Sequence, residues 1–170
     1  MRTAFKEWAV VVDALERGAQ SIILRKGGIA EGRGGFRPAH SKFLLFPTQF
    51  HQQREQVIPA AQARYDVLST QWPEENQVRI RSWAEVVSWE KLERWADAEA
   101  LRGQHVWNDS VIAERFNWGR EQAIYALHLK VHRLPQVWSG EMRPEYGGCK
   151  SWVELAENVS TAASIPQLKS

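Results

Sequence analysis

The chain has 170 residues, 44% of them hydrophobic, and a formal net charge of +2 at pH 7. This length suits one domain with a sizeable core, and so small a net charge does not by itself argue for nucleic-acid binding. The single cysteine, Cys149, excludes an internal disulfide, and no apolar run approaches the roughly 20 residues of a membrane span, so we expect a cytoplasmic protein without membrane contact.

Two helices and two short strands are predicted before residue 70. Apolar side chains recur at helical spacing over residues 5–15, and Gly18 stands where a left-handed C-cap ends such a helix. Short runs rich in Ile, Leu and Phe at 21–26 and 42–46 favour buried strands. Helical spacing returns over residues 57–68 and predicts the second helix.

The connection between the two strands is rich in glycine and in positive charge. Between residues 25 and 54 there are six Lys or Arg against one acid, Glu31. The basic residues are Arg25, Lys26, Arg33, Arg37, Lys42 and Arg54. We interpret the two strands as a hairpin that presents a cationic loop, because glycine lets the backbone approach a phosphate or another anion closely. A solvated loop without a ligand is the alternative.

The clearest strands lie in the second half of the chain. Alternation over residues 77–86 predicts a strand with an apolar inner face, and its outer face is predicted to carry Arg79, Arg81 and Trp83. A second alternating run over residues 125–132 predicts another long strand.

Short helices are predicted between and after these strands. Apolar spacing predicts one over 92–101, and Asn108 supplies N-cap chemistry for another over 111–116. Ser151 and Glu154 have the spacing of a capping box, which predicts a final short helix.

The succession of elements indicates the fold class. Four or five strands separated by short helices, in no regular βαβα alternation, predict an α+β fold with a mixed or mostly antiparallel sheet. We expect the sheet to form a partly closed barrel. One domain is expected over residues 1–159, followed by a disordered tail over 160–170.

Sequence motifs for catalysis or cofactors are absent. Walker and Rossmann glycine patterns do not occur, and His128 and His132 lie about 13 Å apart if they share a strand, too far to bind one ion. The sequence therefore predicts no metal site and no cofactor. It leaves open an enzyme acting on an anionic phosphodiester, with His40, His51 or His105 as acid or base, and a module whose basic loop binds an acidic protein.

Nine tryptophans are the strongest peculiarity of composition. Most are expected in the core, but Trp83 shares its predicted face with two arginines, and Trp118 lies between Arg115 and Arg120 in the sequence. Aromatic rings beside guanidinium groups stack bases in single-strand and RNA-binding proteins. Arginine packed over tryptophan as a surface cation–π pair is the alternative.

Several segments together resemble a known bacterial family. They are 4–18, 22–29, 43–48 with His51 and Gln52, 105–107, Arg115 and Phe116 with Trp118, and 148–152. The chain is similar over nearly its whole length to the family known as domain of unknown function 1802. This resemblance implies one bacterial cytosolic unit and carries no activity with it.

The order of elements resembles that of PUA-like and ASCH-type domains. Those are small β-barrels that often bind RNA or modified bases, so the resemblance implies a similar barrel here. Their usual Gly-x-Lys-x-x-Glu pattern is not reproduced after Gly18.

The sequence thus favours a module that binds nucleic acid, either RNA or a single strand. Phosphate contacts are expected from Arg25, Lys26, Arg33, Arg37 and Lys42. Stacking is expected on Trp83 and Trp118, with His51 as a polar reader. The remaining surface cations of this hypothesis are Arg79, Arg81 and Arg115.

Overall fold

The structure is a computed structural model that describes residues 1–26, 31–32, 35–36 and 39–162. The strands are β1 (Thr3–Trp8), β2 (Ile22–Arg25), β3 (Glu31–Gly32), β4 (Gly35–Phe36), β5 (Lys42–Thr48), β6 (Gln77–Leu92), β7 (Ile124–Glu141) and β8 (Trp152–Glu154). The α-helices are α1 (Ala9–Glu16), α2 (Pro59–Ser69), α3 (Trp95–Glu99) and α4 (Asp109–Asn117), and two 3₁₀ helices span His51–Gln56 and Pro144–Tyr146.

Six strands form one mixed sheet in the order β2-β7-β6-β5-β1-β8. The β1–β5 pair is parallel and the other neighbours are antiparallel, and among the described residues β3 and β4 form a separate two-stranded sheet. The predicted α+β class with a mixed sheet is confirmed.

The sheet curls until its two ends come close. Strand β2 is one edge of the sheet, yet the guanidinium of Arg25 lies 4.7 Å from the ring centroid of Phe5 on β1. The same guanidinium donates to the backbone carbonyl of Lys6 at 2.5 Å. Side chains rather than backbone pairing therefore bridge the gap between the two ends, as in a partly closed barrel.

Both faces of the central strand β5 are buried. On β5, Phe43 and Leu45 belong to a first core beneath helices α1, α2 and α4, whereas Leu44 and Phe46 belong to a second core beneath residues 142–159. All four are at most 1% exposed. A strand covered on both faces has a continuous apolar run instead of an alternating one, which explains this sequence.

The first predicted helix is wrong in its first half. Residues Thr3–Trp8 form strand β1, and the helix begins only at Ala9. Phe5 pairs with Leu45 on one side and with Trp152 on the other, and it is fully buried. Pairing with strands distant in sequence overrides the helical spacing of these residues.

The predicted hairpin between the first two strands is also wrong. Strand β2 pairs with β7, and β5 lies between β1 and β6, so β2 and β5 are not neighbours. Lys42 stands opposite Glu85 on β6, with its ammonium 3.4 Å from that carboxylate, rather than beside Arg25 and Lys26.

Near the C-terminus, the capping box does not open a helix. Trp152–Glu154 is strand β8, paired antiparallel with β1. The predicted helix 92–101 is shorter, because β6 continues to Leu92 and α3 covers only Trp95–Glu99. The predicted cap of α4 is confirmed, since the Asn108 side chain accepts a hydrogen bond from the Val111 N–H at 3.2 Å.

A buried histidine makes stability depend on pH. His105 is 5% exposed, its ring lies 5.6 Å from that of Trp107, and burial lowers its pKa below the ordinary value of 6.5. The unfolded chain therefore binds more protons than the folded one as the pH falls through 6.5 toward the folded pKa, and stability is lost over that interval.

Urea unfolding at pH 7.5 and 5.5 checks this expectation. Each unit by which the pKa is lowered corresponds to about 1.4 kcal/mol at a pH below both values. The decrease in the free energy of unfolding from pH 7.5 to pH 5.5 should be smaller in His105→Gln than in the wild type. It should persist in His51→Gln, where an exposed histidine is removed. If His105→Gln loses as much stability as the wild type between these pH values, groups other than His105 cause the pH dependence.

Candidate functional site

Four of the predicted binding residues gather at one end of the curled sheet. Strand β1 ends there at Trp8, β2 runs into Lys26, and Trp118 is the C-cap residue that follows α4. Between them lies a cavity of about 280 Å³, here called the Trp8–Trp118 cavity. Its lining comprises Trp8, Lys26, Gln56, Val111, Glu114, Arg115 and Trp118. Arg25 lies next to it, at the end of β2.

Arg115 places a positive charge between two indole rings. Its guanidinium carbon is 4.7 Å from the ring centroid of Trp107 and 5.3 Å from that of Trp8, and Nη1 donates to the Leu24 carbonyl at 2.8 Å. Burial lowers the pKa of Arg115 to about 10, so the group remains charged at neutral pH. The cavity therefore contains a fixed cation with aromatic neighbours.

Lys26 connects β2 to the end of α4. Its ammonium donates to the carbonyls of Phe116 and Ala123, each at 2.9 Å, and also to that of Glu121. Carbonyls at a helix C-terminus lack partners within the helix and favour a cation. The three N–H groups of the ammonium are engaged by these carbonyls, so Lys26 contributes its charge to the cavity without a free donor.

The sequence interpretation missed the acid beside this cavity. Glu7 is 1% exposed; its Oε1 accepts from the Trp8 N–H at 2.8 Å, and its Oε2 lies 3.5 Å from Arg25 Nε. Neither Glu7 Oε2 nor Arg25 Nε has a hydrogen-bond partner among the residues that the structure describes. The sequence signal for this pair was Glu7 itself, a single acid between the buried residues Phe5 and Ala9. A charge inside a core is nearly always paired with an opposite charge, so its position indicates a buried cation nearby.

A β-bulge separates two groups predicted to share a face. The register of β6 against β7 shifts between Ile80 and Ser82. Before the shift Ile80 belongs to the second core, whereas Ala84 after it belongs to the first, so Trp83 packs on the second core instead. The prediction that Arg79, Arg81 and Trp83 form one outer face is wrong, because a bulge interrupts the two-residue period. Both arginines line a cavity under helix α1.

Trp83 is covered by neighbouring side chains. The His132 ring stacks on it at 4.1 Å between centroids with an interplanar angle of 12°. The Lys42 ammonium lies 5.8 Å from the indole centroid and 3.4 Å from the Glu85 carboxylate. A stacked imidazole occupies the surface that a base would need, which makes Trp83 a weaker stacking candidate than Trp118.

The remaining predicted residues lie elsewhere. His51 is exposed, with its ring 6.0 Å from Trp72, and Arg54 is paired with Asp66 at 2.7 Å. Arg33 and Arg37 fall outside the described residues.

The histidines considered as acid or base are dispersed. His40 lies 4.9 Å from Trp152, whereas His105 packs against Trp107 and is buried. Over 1–26 and 39–162, no three His, Cys, Asp or Glu side chains are grouped so that they could hold a metal ion. None of the three histidines, His40, His51 and His105, lines the Trp8–Trp118 cavity.

Comparison with known proteins establishes the family. A family model described as Domain of unknown function (DUF1802) matches residues 4–170. The chain belongs to this family. The resemblance noted from the sequence is therefore confirmed, and a search of curated proteins gave no match.

A solved structure has a similar layout. The crystal structure of ASCH from Zymomonas mobilis matches with a TM-score of 0.48 and 11% identity over 75% of this chain and 66% of that chain. ASCH is the type of domain to which the order of elements pointed, but a likeness of this size gives no information on function. Within the described residues, no helix is long and apolar enough to cross a membrane.

Proposed function

We propose that the protein binds single-stranded nucleic acid, with RNA as the expected form, by accepting an unstacked base at the Trp8–Trp118 cavity. The observation that carries this proposal is the position of Arg115 among indole rings at a cavity whose edge holds Trp118, 70% exposed. So large an aromatic surface in water is unfavourable in a free protein and available for stacking, and every base has a π face.

The charges near the cavity favour an anionic strand. Arg25, Lys26 and Arg115 contribute three positive charges, against Glu7 beside Arg25 and Glu114 in the lining. Exposed Arg120 follows Trp118 by two residues, and within the described part of the chain it has no hydrogen bond or ion pair. In this proposal Arg120 meets a phosphate next to the stacked base, and Arg33 and Arg37 provide further phosphate contacts.

Substitution of Trp118 tests the stacking interaction. Trp118→Ala should weaken binding of a fluorescein-labelled 12-nucleotide RNA by about 1–3 kcal/mol, the range found for one stacked base. The fluorescence anisotropy of the labelled RNA, titrated with protein at 50 and 200 mM salt, measures the affinity. Phe50→Ala removes another exposed ring, 58% exposed and outside this cavity, and should leave the affinity unchanged. Equal affinity of Trp118→Ala and wild type would contradict the proposal.

Salt dependence tests the phosphate contact separately. Arg120→Gln should lower the slope of log affinity against log salt by about 1, whereas Arg143→Gln, which removes an arginine 3.8 Å from Glu145, should leave it unchanged. A matched DNA strand tells whether the 2′-hydroxyl contributes. Binding that is insensitive to salt would argue against a nucleic-acid site.

A further inference from the structure

A second cavity lies between helices α1 and α2 and strands β5 and β6. Its volume is about 60 Å³, and its apolar lining includes Val12, Leu45, Leu68 and Trp72. Arg79 and Arg81 line the same cavity, which we call the Arg79–Arg81 pocket. It shares no lining residue with the Trp8–Trp118 cavity.

The two arginines lack an anionic partner. Both are half-buried, and among the described side chains neither has a hydrogen bond or a carboxylate within ion-pair distance. This contrasts with the arginines on the exposed surface of α2 and its neighbours, such as Arg54, which is paired with Asp66. Partial burial of unpaired guanidinium groups is unfavourable, and a bound anion would offset that cost.

The acids of this pocket are engaged elsewhere. Asp13 accepts hydrogen bonds from Arg17 at 2.7 Å and from Arg64 at 2.7 and 2.9 Å. Burial alone would raise the pKa of Asp13, but these bonds hold it below its ordinary value, so the carboxylate stays charged and occupied. Glu16 Oε1 accepts from the Ser82 hydroxyl at 2.8 Å. Both acids line the pocket, but among the described side chains neither lies within ion-pair distance of Arg79 or Arg81.

The interior of the pocket sets the size and polarity of a ligand. A volume of about 60 Å³ equals roughly four to six water-sized spheres, room for a short aliphatic chain and too little for a nucleoside. Trp72 adds an indole Nε1–H that is buried without an acceptor in the described part of the chain. The walls are largely apolar, and Asp13, Glu16, Gln49 and Gln71 complete the polar part of the lining beside the two arginines.

We propose that the Arg79–Arg81 pocket binds a small carboxylate with a short aliphatic body. The carboxylate lies against Arg79 and Arg81, whose planar guanidinium groups suit its two oxygens. The aliphatic chain fills the space among Val12, Leu45 and Leu68. This ligand differs from the nucleic acid of the first site, and the two proposals stand on different residues.

Titration with butyrate tests this site, followed through the tryptophan indole N–H signals in ¹H–¹⁵N spectra. Trp72→Phe identifies one of the nine signals. Butyrate should shift that signal saturably, and butylamine, which has the same chain and the opposite charge, should not. Arg79→Gln and Arg81→Gln should each weaken binding about ten-fold, since a hydrogen bond to a charged group is lost. Arg143→Gln should have no effect.

Leu68→Phe, which adds volume to the pocket wall, should also abolish the shift while leaving the remaining indole signals in place. The proposal is overturned if butyrate and butylamine shift the Trp72 signal alike, if the shift does not saturate, or if both arginine variants bind butyrate as wild type does.

Discussion

Arg25→Met is expected to lower the free energy of unfolding by about 3–5 kcal/mol, because among the described residues it removes the cation within ion-pair distance of a buried carboxylate and leaves it only the more distant Arg115. Glu7 is the affected group: its side chain is fully buried, and its Oε2 lies 3.5 Å from Arg25 Nε. The variant also removes the hydrogen bond to the Lys6 carbonyl, which joins the two ends of the curled sheet. Urea unfolding at pH 7.5 measures the loss.

A double variant separates the charge from the packing. Arg25→Met combined with Glu7→Leu replaces the pair by apolar side chains, and it should recover most of the stability that the single variant loses. Arg17→Met is the matched control: its partner Asp13 keeps Arg64, and Arg17 is 44% exposed, so a loss of at most about 1 kcal/mol is expected. If the double variant is no more stable than Arg25→Met, the buried charge is not the cause.

Trp107→Ala is expected to lower the free energy of unfolding by about 3–5 kcal/mol, because it leaves a cavity in the core. The indole is 1% exposed and packs edge-on against Trp8 at 6.4 Å between ring centroids. It also lies under the Arg115 guanidinium, so its removal should weaken RNA binding as well.

Trp118→Ala is the matched comparison for Trp107→Ala. The same residue type is removed near the same cavity, but from a side chain that is 70% exposed, and stability should change by no more than about 0.5 kcal/mol. Thermal and urea unfolding compare the two variants. Similar losses in both would show that the assigned burial of these two rings is wrong.

Local signals in the sequence predicted the elements that local interactions determine. Asn108 caps α4 as expected, and the alternation around Val78 and Leu127 belongs to the long paired strands β6 and β7. Capping depends on residues three positions apart and alternation on one strand, so a single sequence contains the necessary information.

Pairing between distant segments could not be predicted in the same way. Residues Thr3–Trp8 have helix-like spacing, and Ser151 with Glu154 matches a capping box. Thr3–Trp8 and Trp152–Glu154 nevertheless form strands, because they pair with each other and Thr3–Trp8 also pairs with β5. The bulge near Arg81 likewise depends on β7, where the pairing jumps from Trp138 to Arg133. Neither the long-range pairing nor the bulge is visible as a periodic pattern in the sequence of the strand concerned.

The predicted cationic surface was only partly assembled by the fold. Arg25, Lys26, Arg115 and Trp118 meet at one end of the sheet, whereas Arg79 and Arg81 line a separate pocket. The sequence showed which residues are charged, but pairing of β2 with β7 decided which of them become neighbours. Glu7 was missed because its partner, Arg25, is 18 positions away and reaches it only across the curled sheet.

The most direct test of base stacking at the Trp8–Trp118 cavity uses a single-stranded RNA that carries one 2-aminopurine. Its fluorescence should be quenched on binding to the wild-type protein, because a base that enters the cavity stacks on an indole ring. The quenching should disappear in Trp118→Ala and remain in Phe50→Ala. Equal quenching by the wild type and Trp118→Ala would contradict the account. So would a series of RNAs, each with the 2-aminopurine at a different position, that all bind the wild-type protein without a change in fluorescence.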